Sequence, residues 1–122
     1  MYEALIRPLL FRVNAEAAHN IGIEALSLFD IAPHAAAALR KKLQADRSKL
    51  HTRLWGIDFP NPLGIAAGLD KNAEAVVGLF ALGFGFLEVG TVTPRPQAGN
   101  PSPRMFRLPE HEAVINRMGF NN

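Results

Sequence analysis

The sequence contains no cysteine, and its 122 residues include only one tryptophan and one tyrosine. Without cysteine, a disulfide framework, a cysteine-ligated zinc site and a thiol nucleophile are all excluded from this stretch. Long apolar runs are also missing, because the longest uncharged run, Ala75–Leu87, has 13 residues and is interrupted by glycines. A helix that crosses a bilayer needs about 20 apolar residues. No run in the sequence therefore predicts a membrane span.

Charge of one sign is not in strong excess either. The chain has 13 Lys and Arg against 11 Asp and Glu, a formal net charge of +2. Nucleic-acid binding needs clustered positive charge, so no nucleic-acid partner is expected. The small surplus of positive charge lies before residue 56, where the sequence has eight basic and five acidic residues. The first residues lack the apolar core and the cleavage site of a signal peptide, which predicts synthesis in the cytoplasm.

Helices are predicted for the first 43 residues. Between Tyr2 and Val13, apolar residues recur at every third or fourth position, the spacing of one helical face. Pro8 lies inside this pattern and is expected to kink or shorten the first helix. Asn14 is a predicted N-cap for a second helix, with Glu16 in the first turn where the helix dipole favours an anion.

The predicted second helix has an unusually wide apolar surface. Its polar residues form one narrow stripe: Glu16, Asn20, Glu24 and Ser27. Pro33 opens a third helix that is rich in alanine and ends in Arg40-Lys41-Lys42, where the dipole favours cations. Residues 44–53 are interpreted as a polar linker. A wide apolar arc beside basic residues is typical of helices that lie in a membrane interface, and packing onto the rest of the protein is the alternative.

After residue 53 the pattern changes to short apolar runs separated by proline and glycine, which is typical of strands. The stretch Leu54–Pro62 predicts a hairpin or an edge strand. Leu63–Ala67 and Phe86–Val89 predict two buried strands, with a helix over Ala73–Leu82 that Gly83 ends. Strand, helix and strand in this order predict a βαβ unit with parallel strands.

A proline-rich loop follows Thr91, and a second hairpin is predicted beyond it. In that hairpin Met105–Leu108 pairs with Ala113–Asn116 about the turn Pro109–Glu112. One βαβ unit supplies only two parallel strands, which do not make a stable buried sheet. We therefore expect the sequence to be the N-terminal part of a larger α/β protein.

The predicted strand ends carry candidate functional residues. In α/β barrels the functional face is the carboxyl end of the strands. The first loop there, Ala66–Asn72, combines small residues with Lys71, so that a flat or phosphorylated ligand can approach the backbone beside a cation. The second loop, Gly90–Thr93, offers hydroxyl groups. Two tight turns with a solvated lysine are an equal alternative, because no established phosphate-binding pattern is present.

Four blocks of sequence carry a resemblance to a known family. They are Asn61–Asn72 (NPLGIAAGLDKN), Gly83–Gln97 (GFGFLEVGTVTPRPQ), Pro103–Pro109 (PRMFRLP) and Ile115–Asn122 (INRMGFNN). In this order they closely resemble the quinone-dependent, class 2 dihydroorotate dehydrogenases, and the resemblance covers essentially the whole chain. It implies an α/β fold: a flavin-containing (β/α)₈ TIM barrel, present here only in its N-terminal part, after a small helical membrane-associated domain. The domains would be 1–43 (helical), 44–53 (linker) and 54–122 (start of the barrel).

The resemblance also implies roles for individual residues. Contacts to FMN are implied for Ala67, Gly68, Leu69, Asp70, Lys71 and Thr91. Lys71 matches the lysine that also touches the substrate, and the substrate segment matches Asn116, Arg117, Met118, Gly119 and Phe120. His19 and Arg107 match positions at the quinone tunnel; judged without the family, a helix histidine and a surface ion pair are the favoured alternatives. No metal is implied. Arg95 and Arg104 are interpreted as structural charges that the sequence does not assign further.

The implied activity is the oxidation of dihydroorotate to orotate in pyrimidine (UMP) biosynthesis, with electrons passing through FMN to a quinone. The family's general base is a serine on a later loop that is not within residues 1–122, so this stretch is expected to be inactive alone. The implied location is peripheral, on the cytoplasmic side of a bacterial inner membrane. Two alternatives stay open: a class 1 relative with a soluble acceptor, and a non-catalytic membrane-binding fragment. The sequence does not give the oligomeric state or the particular quinone.

Overall fold

The computed structural model describes residues 2–43 and 47–122. The helical segments are a π-helical turn Tyr2–Ile6, α1 Arg7–Phe11, α2 Ala15–Ser27, a 3₁₀ turn Leu28–Asp30, α3 Pro33–Leu43, α4 Arg47–Leu50, α5 Val76–Ala81 and a 3₁₀ turn Pro109–His111. The strands are β1 Thr52–Leu54, β2 Ile57–Phe59, β3 Gly64–Ile65, β4 Phe86–Leu87, β5 Met105–Leu108 and β6 Ala113–Asn116. Within the described residues these strands form three two-stranded sheets, β1–β2, β3–β4 and β5–β6.

The chain divides into two compact units. The described residues of Met1–Gly22 and Thr93–Asn122 form one, here called the hairpin unit. Those of Ile23–Val92 form the other, here called the βαβ unit. The boundary falls inside α2, whose first half belongs to the hairpin unit. Each unit is described by itself below.

The hairpin unit begins with the predicted first helix, which proline shortens. Pro8 lies in the first turn of α1, where a missing N–H is tolerated, and the α-helix extends only to Phe11. The predicted N-cap of α2 is confirmed, because the Asn14 Oδ1 accepts hydrogen bonds from the backbone N–H groups of Glu16 (2.9 Å) and Ala17 (3.4 Å). A local side-chain cap thus sets the start of α2.

The predicted second hairpin is confirmed at its predicted bounds. Strands β5 and β6 pair antiparallel, with Met105 opposite Asn116 and Leu108 opposite Ala113. Pro109 opens the connecting turn, and Glu112 closes it in a left-handed conformation with φ of 48°. Backbone hydrogen bonds extend the pairing beyond the strands, since the Arg117 N–H donates to the Arg104 carbonyl at 2.8 Å.

The βαβ unit contains the predicted parallel strand pair. Gly64 lies opposite Phe86 and Ile65 opposite Leu87 in a parallel register. Helix α5 crosses between the two strands and buries Leu79, which is 2% exposed. The residues packed together in this core are Ile23, Ala75 and Leu79, with Leu26 and Leu87 at its edge. The second half of α2 therefore contributes to this core.

Gly78 shows how closely α5 approaches α2. A Cβ atom added at this glycine would collide with the backbone carbonyl of Leu26. Helix α5 also packs against α3 and the 3₁₀ turn Leu28–Asp30. The absence of a side chain at residue 78 thus permits the packing that positions the crossover helix.

For the stretch Leu54–Pro62, predicted as a hairpin or an edge strand, the structure has a hairpin, β1–β2, that begins at Thr52 and ends at Phe59. Thr52 pairs with Phe59 and Leu54 with Ile57. The two turn residues have positive φ angles, 52° at Trp55 and 77° at Gly56. Two positive φ angles are typical of the turn that matches the twist of an antiparallel pair. The Trp55 side chain is 89% exposed at the tip.

Several predicted boundaries are wrong. The helix predicted over Ala73–Leu82 begins only at Val76, because Ala73 has a positive φ of 60° and cannot continue a right-handed helix. The two parallel strands have two residues each instead of four or five. In the stretch 44–53, predicted as linker, residues 47–50 form the short helix α4 and β1 begins at Thr52; residues 44–46 lie outside the described residues.

In the described part of the chain, no single helix is long and apolar enough to cross a membrane. Only Ala15–Asp30 and Pro33–Leu43 taken together reach that length and composition, and the two are bent by 109°.

Candidate functional site

The carboxyl ends of β3 and β4 are joined by backbone hydrogen bonds. This ladder of hydrogen bonds begins where the Gly85 N–H donates to the Leu63 carbonyl (2.8 Å). It continues where the Glu88 N–H donates to the Ile65 carbonyl (2.9 Å). It ends where the Gly68 N–H donates to the Gly90 carbonyl at 3.0 Å. The two predicted ligand loops therefore leave the strands side by side.

Gly68 gives the first loop its shape. Its φ is +102°, a conformation that side chains rarely adopt, and a Cβ added there would meet nothing within 4 Å. The flanking residues Ala67 and Leu69 are exposed, as is Thr91 immediately after Gly90. The edge of the two strands thus presents small residues and open space to a ligand.

Asp70 has a structural role in the same loop. It is only 4% exposed, and its two carboxylate oxygens accept hydrogen bonds from the N–H groups of Glu74 (2.9 Å) and Ala75 (2.8 Å). These bonds anchor the irregular residues before α5. The neighbouring Lys71 is half-buried and has interactions of its own. The Asp70 carboxylate holds the loop in place, so that Lys71 and Gly68 are fixed relative to the strand ends.

The predicted substrate segment, Asn116–Phe120, begins at the last residue of β6 in the hairpin unit. Asn100 supports it, because its N–H donates to the Met118 carbonyl (3.0 Å) and its Nδ2 donates to the Arg117 carbonyl (2.7 Å). Gly119 turns the chain with a φ of +82°. Phe120 is 82% exposed, although it is a large apolar residue. The segment is held mainly through its backbone, and the Asn116 Oδ1 accepts a hydrogen bond from the Met118 N–H (3.4 Å).

The Arg117 side chain folds back onto the hairpin instead of extending outward. Its guanidinium lies 5.3 Å from the centre of the Phe106 ring and donates a 3.4 Å hydrogen bond to the Pro103 carbonyl. A cation over a ring face is favourable by roughly 0.5–1 kcal/mol at exposed sites. Arg117 therefore stabilises the base of the segment. Its role toward a substrate stays a prediction.

Arg107 joins β5 to the connection between α1 and α2. Its guanidinium donates a 2.7 Å hydrogen bond to the Val13 carbonyl and lies 4.8 Å from the centre of the Phe11 ring. The Arg7 guanidinium lies 5.1 Å from the same ring. His19 is half-buried on α2, about one helical turn beyond Glu16. The predicted quinone-site residues thus belong to the same unit.

Arg104, which the sequence left unassigned, makes the shortest ion pair of this unit among the described residues. Its guanidinium meets the Glu16 carboxylate at 2.5 Å and at 3.0 Å, with the two side chains only 16% and 20% exposed. Hydrogen bonding from Arg104 lowers the pKa of Glu16 below its ordinary value, an effect that desolvation opposes. The same hydrogen bond raises the pKa of Arg104.

The structure therefore distributes the predicted site residues over both units. Ala67, Gly68, Leu69, Asp70, Lys71 and Thr91 lie in the βαβ unit, whereas His19, Arg107 and Asn116–Phe120 lie in the hairpin unit. Sequence reasoning missed Asn100 and the Glu16–Arg104 pair, and no local pattern marks a pair 88 residues apart. The hydrogen bonds of Asp70 to the N–H groups of Glu74 and Ala75 were also missed, because Asp70 lies before the N-cap of α5, which is Ala75. Within residues 2–43 and 47–122, no cluster of His, Asp and Glu could hold a metal ion.

Comparisons with known proteins fit an α/β protein of this kind. The family model for dihydroorotate dehydrogenase matches residues 49–122. The chain is 56% identical over 119 residues to the dihydroorotate dehydrogenase (quinone) of Stenotrophomonas maltophilia strain K279a, covering 98% of this chain and 32% of that protein. It is 55% identical over 122 residues to the enzyme of that name from Deinococcus deserti, covering 100% of this chain and 34% of that protein.

Solved structures give the same result. The crystal structure of dihydroorotate dehydrogenase from Eimeria tenella in complex with ferulenol aligns with a TM-score of 0.67 at 42% identity, covering 88% of this chain and 27% of that one. The ligand-free enzyme from the same organism aligns with a TM-score of 0.61 at 54% identity, covering 66% and 22%. The chain belongs to the dihydroorotate dehydrogenase family. It spans about a third of the length of the curated relatives it matches.

Proposed function

We propose that this chain is part of an enzyme that oxidises dihydroorotate to orotate in pyrimidine biosynthesis and passes the electrons through FMN to a quinone. The observation that carries the proposal is the family match over residues 49–122, together with relatives named for a quinone. The proposal extends to the TIM barrel, of which the parallel pair β3–β4 would be the first two strands. It also keeps the predicted order of a helical part, residues 1–43, before the start of the barrel, with α4 and the first residues of β1 in the stretch 44–53 that was predicted as linker.

The loops after β3 and β4 are suited to a flat cofactor ring. Gly68 leaves open space above the backbone, and the exposed residues beside it, Ala67, Leu69 and Thr91, are small or uncharged. The hydrogen bond from the Gly68 N–H to the Gly90 carbonyl holds the two loops side by side. FMN, when bound there, would supply the electron acceptor for the substrate.

Lys71 supplies positive charge at this edge. It follows Asp70, whose buried carboxylate accepts hydrogen bonds from two backbone N–H groups, so the backbone that carries the lysine is held in place. A fixed cation stabilises an anionic substrate and the negative charge that develops on it during reaction. In our proposal Lys71 touches both the cofactor and the substrate, and Asn116 binds the pyrimidine ring through its amide. The proton is removed by a serine outside residues 1–122.

The hairpin unit is proposed to serve the electron acceptor. Apolar side chains on its first helices are exposed, including Leu5 (63%), Leu9 (62%) and Ile21 (51%). Arg7 and Arg12 lie among them in the sequence, and Arg107 of β5 lies over the Phe11 ring. Apolar residues flanked by cations are typical of a surface that lies in the interface of an anionic bilayer, where a quinone dissolves. The location that follows is peripheral, on the cytoplasmic side of the inner membrane.

The test of the activity uses the complete natural protein that carries this sequence. The purified protein should retain FMN and oxidise dihydroorotate with either a water-soluble dye or a long-chain quinone. Dye activity without quinone activity would favour the alternative of a class 1 relative with a soluble acceptor. Absence of both activities in a folded, flavin-loaded protein would refute the proposal.

A separate experiment tests the membrane role. Deleting the whole predicted helical domain would also remove Ile23 and Leu26 from the core of the βαβ unit, so substitutions are sharper. Leu5→Asp with Leu9→Asp should abolish sedimentation with anionic vesicles and reduce quinone activity, while dye activity stays unchanged. Ile57→Asp, which changes an exposed residue of β2 (57%), is the matched control and should leave vesicle binding intact. Vesicle binding that survives both α1-region substitutions would contradict the membrane role.

A further inference from the structure

The Arg104 guanidinium is the centre of a polar cluster in the hairpin unit. Besides its three hydrogen bonds to the Glu16 carboxylate, it donates hydrogen bonds to the carbonyls of Ala98 (2.8 Å) and Asn100 (3.1 Å). The Ser102 hydroxyl donates to the other side of the Glu16 carboxylate at 3.3 Å. The guanidinium of Arg104, the residue before β5, therefore links the start of α2 to the proline-rich loop.

This cluster and Arg107 hold the same helical connection at two points. Arg104 binds Glu16 in the first turn of α2, and Arg107 binds the carbonyl of Val13, three residues earlier. Both arginines come from one segment of the hairpin, so neither can move along the helices without the other. These side-chain contacts link the first half of α2 to the hairpin, and no hydrophobic residue of this unit is fully buried among the described residues.

Glu16 lies three residues before His19, on adjacent parts of one helical surface. Arg104 lies three residues before Arg107 along the hairpin. His19 and Arg107 are the residues proposed above for the acceptor site. A rotation of α2 or a shift of β5 would therefore change the placement of both candidates together.

We infer that Glu16 and Arg104 are positioning residues for the electron-acceptor site: their ion pair sets the placement of α2 against β5, on which His19 and Arg107 depend. The inference rests on the proposed function and deepens it. Neither residue needs to touch the quinone. Misplacement of a binding group by about 1 Å can cost up to roughly a hundredfold in rate, so a remote pair can have a large effect.

The experiment measures steady-state kinetics of the complete protein with a long-chain quinone and with a water-soluble dye. Glu16→Gln and Arg104→Gln should each raise the KM for the quinone about tenfold and leave kcat with the dye within about twofold of wild type. Arg104→Lys keeps the charge but loses the planar fork, so its KM should lie between those of wild type and Arg104→Gln. If the ion pair served only the stability of the fold, its loss would affect the activities with the quinone and with the dye to the same extent.

The controls are matched in charge and location. Glu110→Gln removes an exposed acid in the turn of the same hairpin, and Arg95→Gln removes an exposed arginine in the same loop. Both should leave the quinone KM unchanged. If a Gln variant does not fold, the quinone KM of Arg104→Lys alone tests the inference. An unchanged quinone KM in the folded variants, or an equal loss of dye and quinone activity, would overturn the inference. A wild-type protein inactive even with dye would refute the proposed function instead.

Discussion

The two units of this chain are stabilised in different ways. In the βαβ unit, small and apolar residues such as Ala75 and Leu79 are almost completely buried, and backbone hydrogen bonds hold the loops. In the hairpin unit, the buried residue among those described is Asn121, and arginine side chains make contacts between the helical segments and the hairpin. The comparison teaches that the proposed flavin edge has a rigid, backbone-defined base. The proposed acceptor region depends on charge pairs that single substitutions or acid can break.

The largest expected effect concerns chemistry on the βαβ unit. Lys71→Ala in the complete protein should slow flavin reduction by dihydroorotate about 10²–10³-fold, because one lost charge contact in a transition state is worth roughly 2.7–4 kcal/mol. Stopped-flow absorbance at saturating substrate measures this rate.

Lys71→Arg, which keeps the charge, should lose less activity than Lys71→Ala, and both variants should retain FMN. If Lys71→Ala reduced flavin at a rate within about threefold of wild type, the lysine would have only a structural role in the loop.

The next effect tests the core of the same unit. Leu79→Ala should lower the free energy of unfolding by about 2–4 kcal/mol, because it removes apolar atoms from a site that is 2% exposed. Hydrogen exchange of the backbone N–H groups of Val76–Leu87, measured by mass spectrometry, reports this locally.

Leu82→Ala is the matched control, since Leu82 follows α5 and is 40% exposed. It should change stability by less than about 0.5 kcal/mol. Equal effects of the two substitutions would show that the βαβ unit has no specific core, and the contrast with the hairpin unit would then fail.

The extent to which sequence predicted these units follows from the range of the interactions. Asn14, Pro33 and Pro109 act on neighbouring residues, so the start of α2, the start of α3 and the turn of the second hairpin were predicted correctly. The start of α5 was not, because Asp70 draws the backbone of Glu74 and Ala75 toward itself and the helix begins only afterward. Apolar periodicity carries no information about such hydrogen bonds between a side chain and the backbone.

The candidate site was predictable to a different degree. The four sequence blocks indicated the family, which the comparisons confirm. The contacts that organise the site could not be predicted, because Glu16 and Arg104 are 88 residues apart and become neighbours only in the folded chain. Whether Lys71, Asn116, His19 and Arg107 bind what the family implies stays a prediction.

The smallest expected effect is an acid sensitivity confined to the hairpin unit, because a single carboxylate is involved. Arg104 lowers the pKa of Glu16 below its ordinary value of 4.5, which the group regains on unfolding. The ion pair therefore contributes its full stabilisation above pH 4.5 and loses it as the pH falls further, through the folded-state pKa. The charged groups that act on Glu16 are Arg104 and His19.

Hydrogen exchange, corrected for its intrinsic pH dependence, should show protection of β5 and β6 decreasing below pH 4.5 before that of α5. Glu16→Gln should remove this difference by lowering hairpin protection at neutral pH. Equal acid lability of the two units in the wild type would mean that the charge pair does not distinguish them.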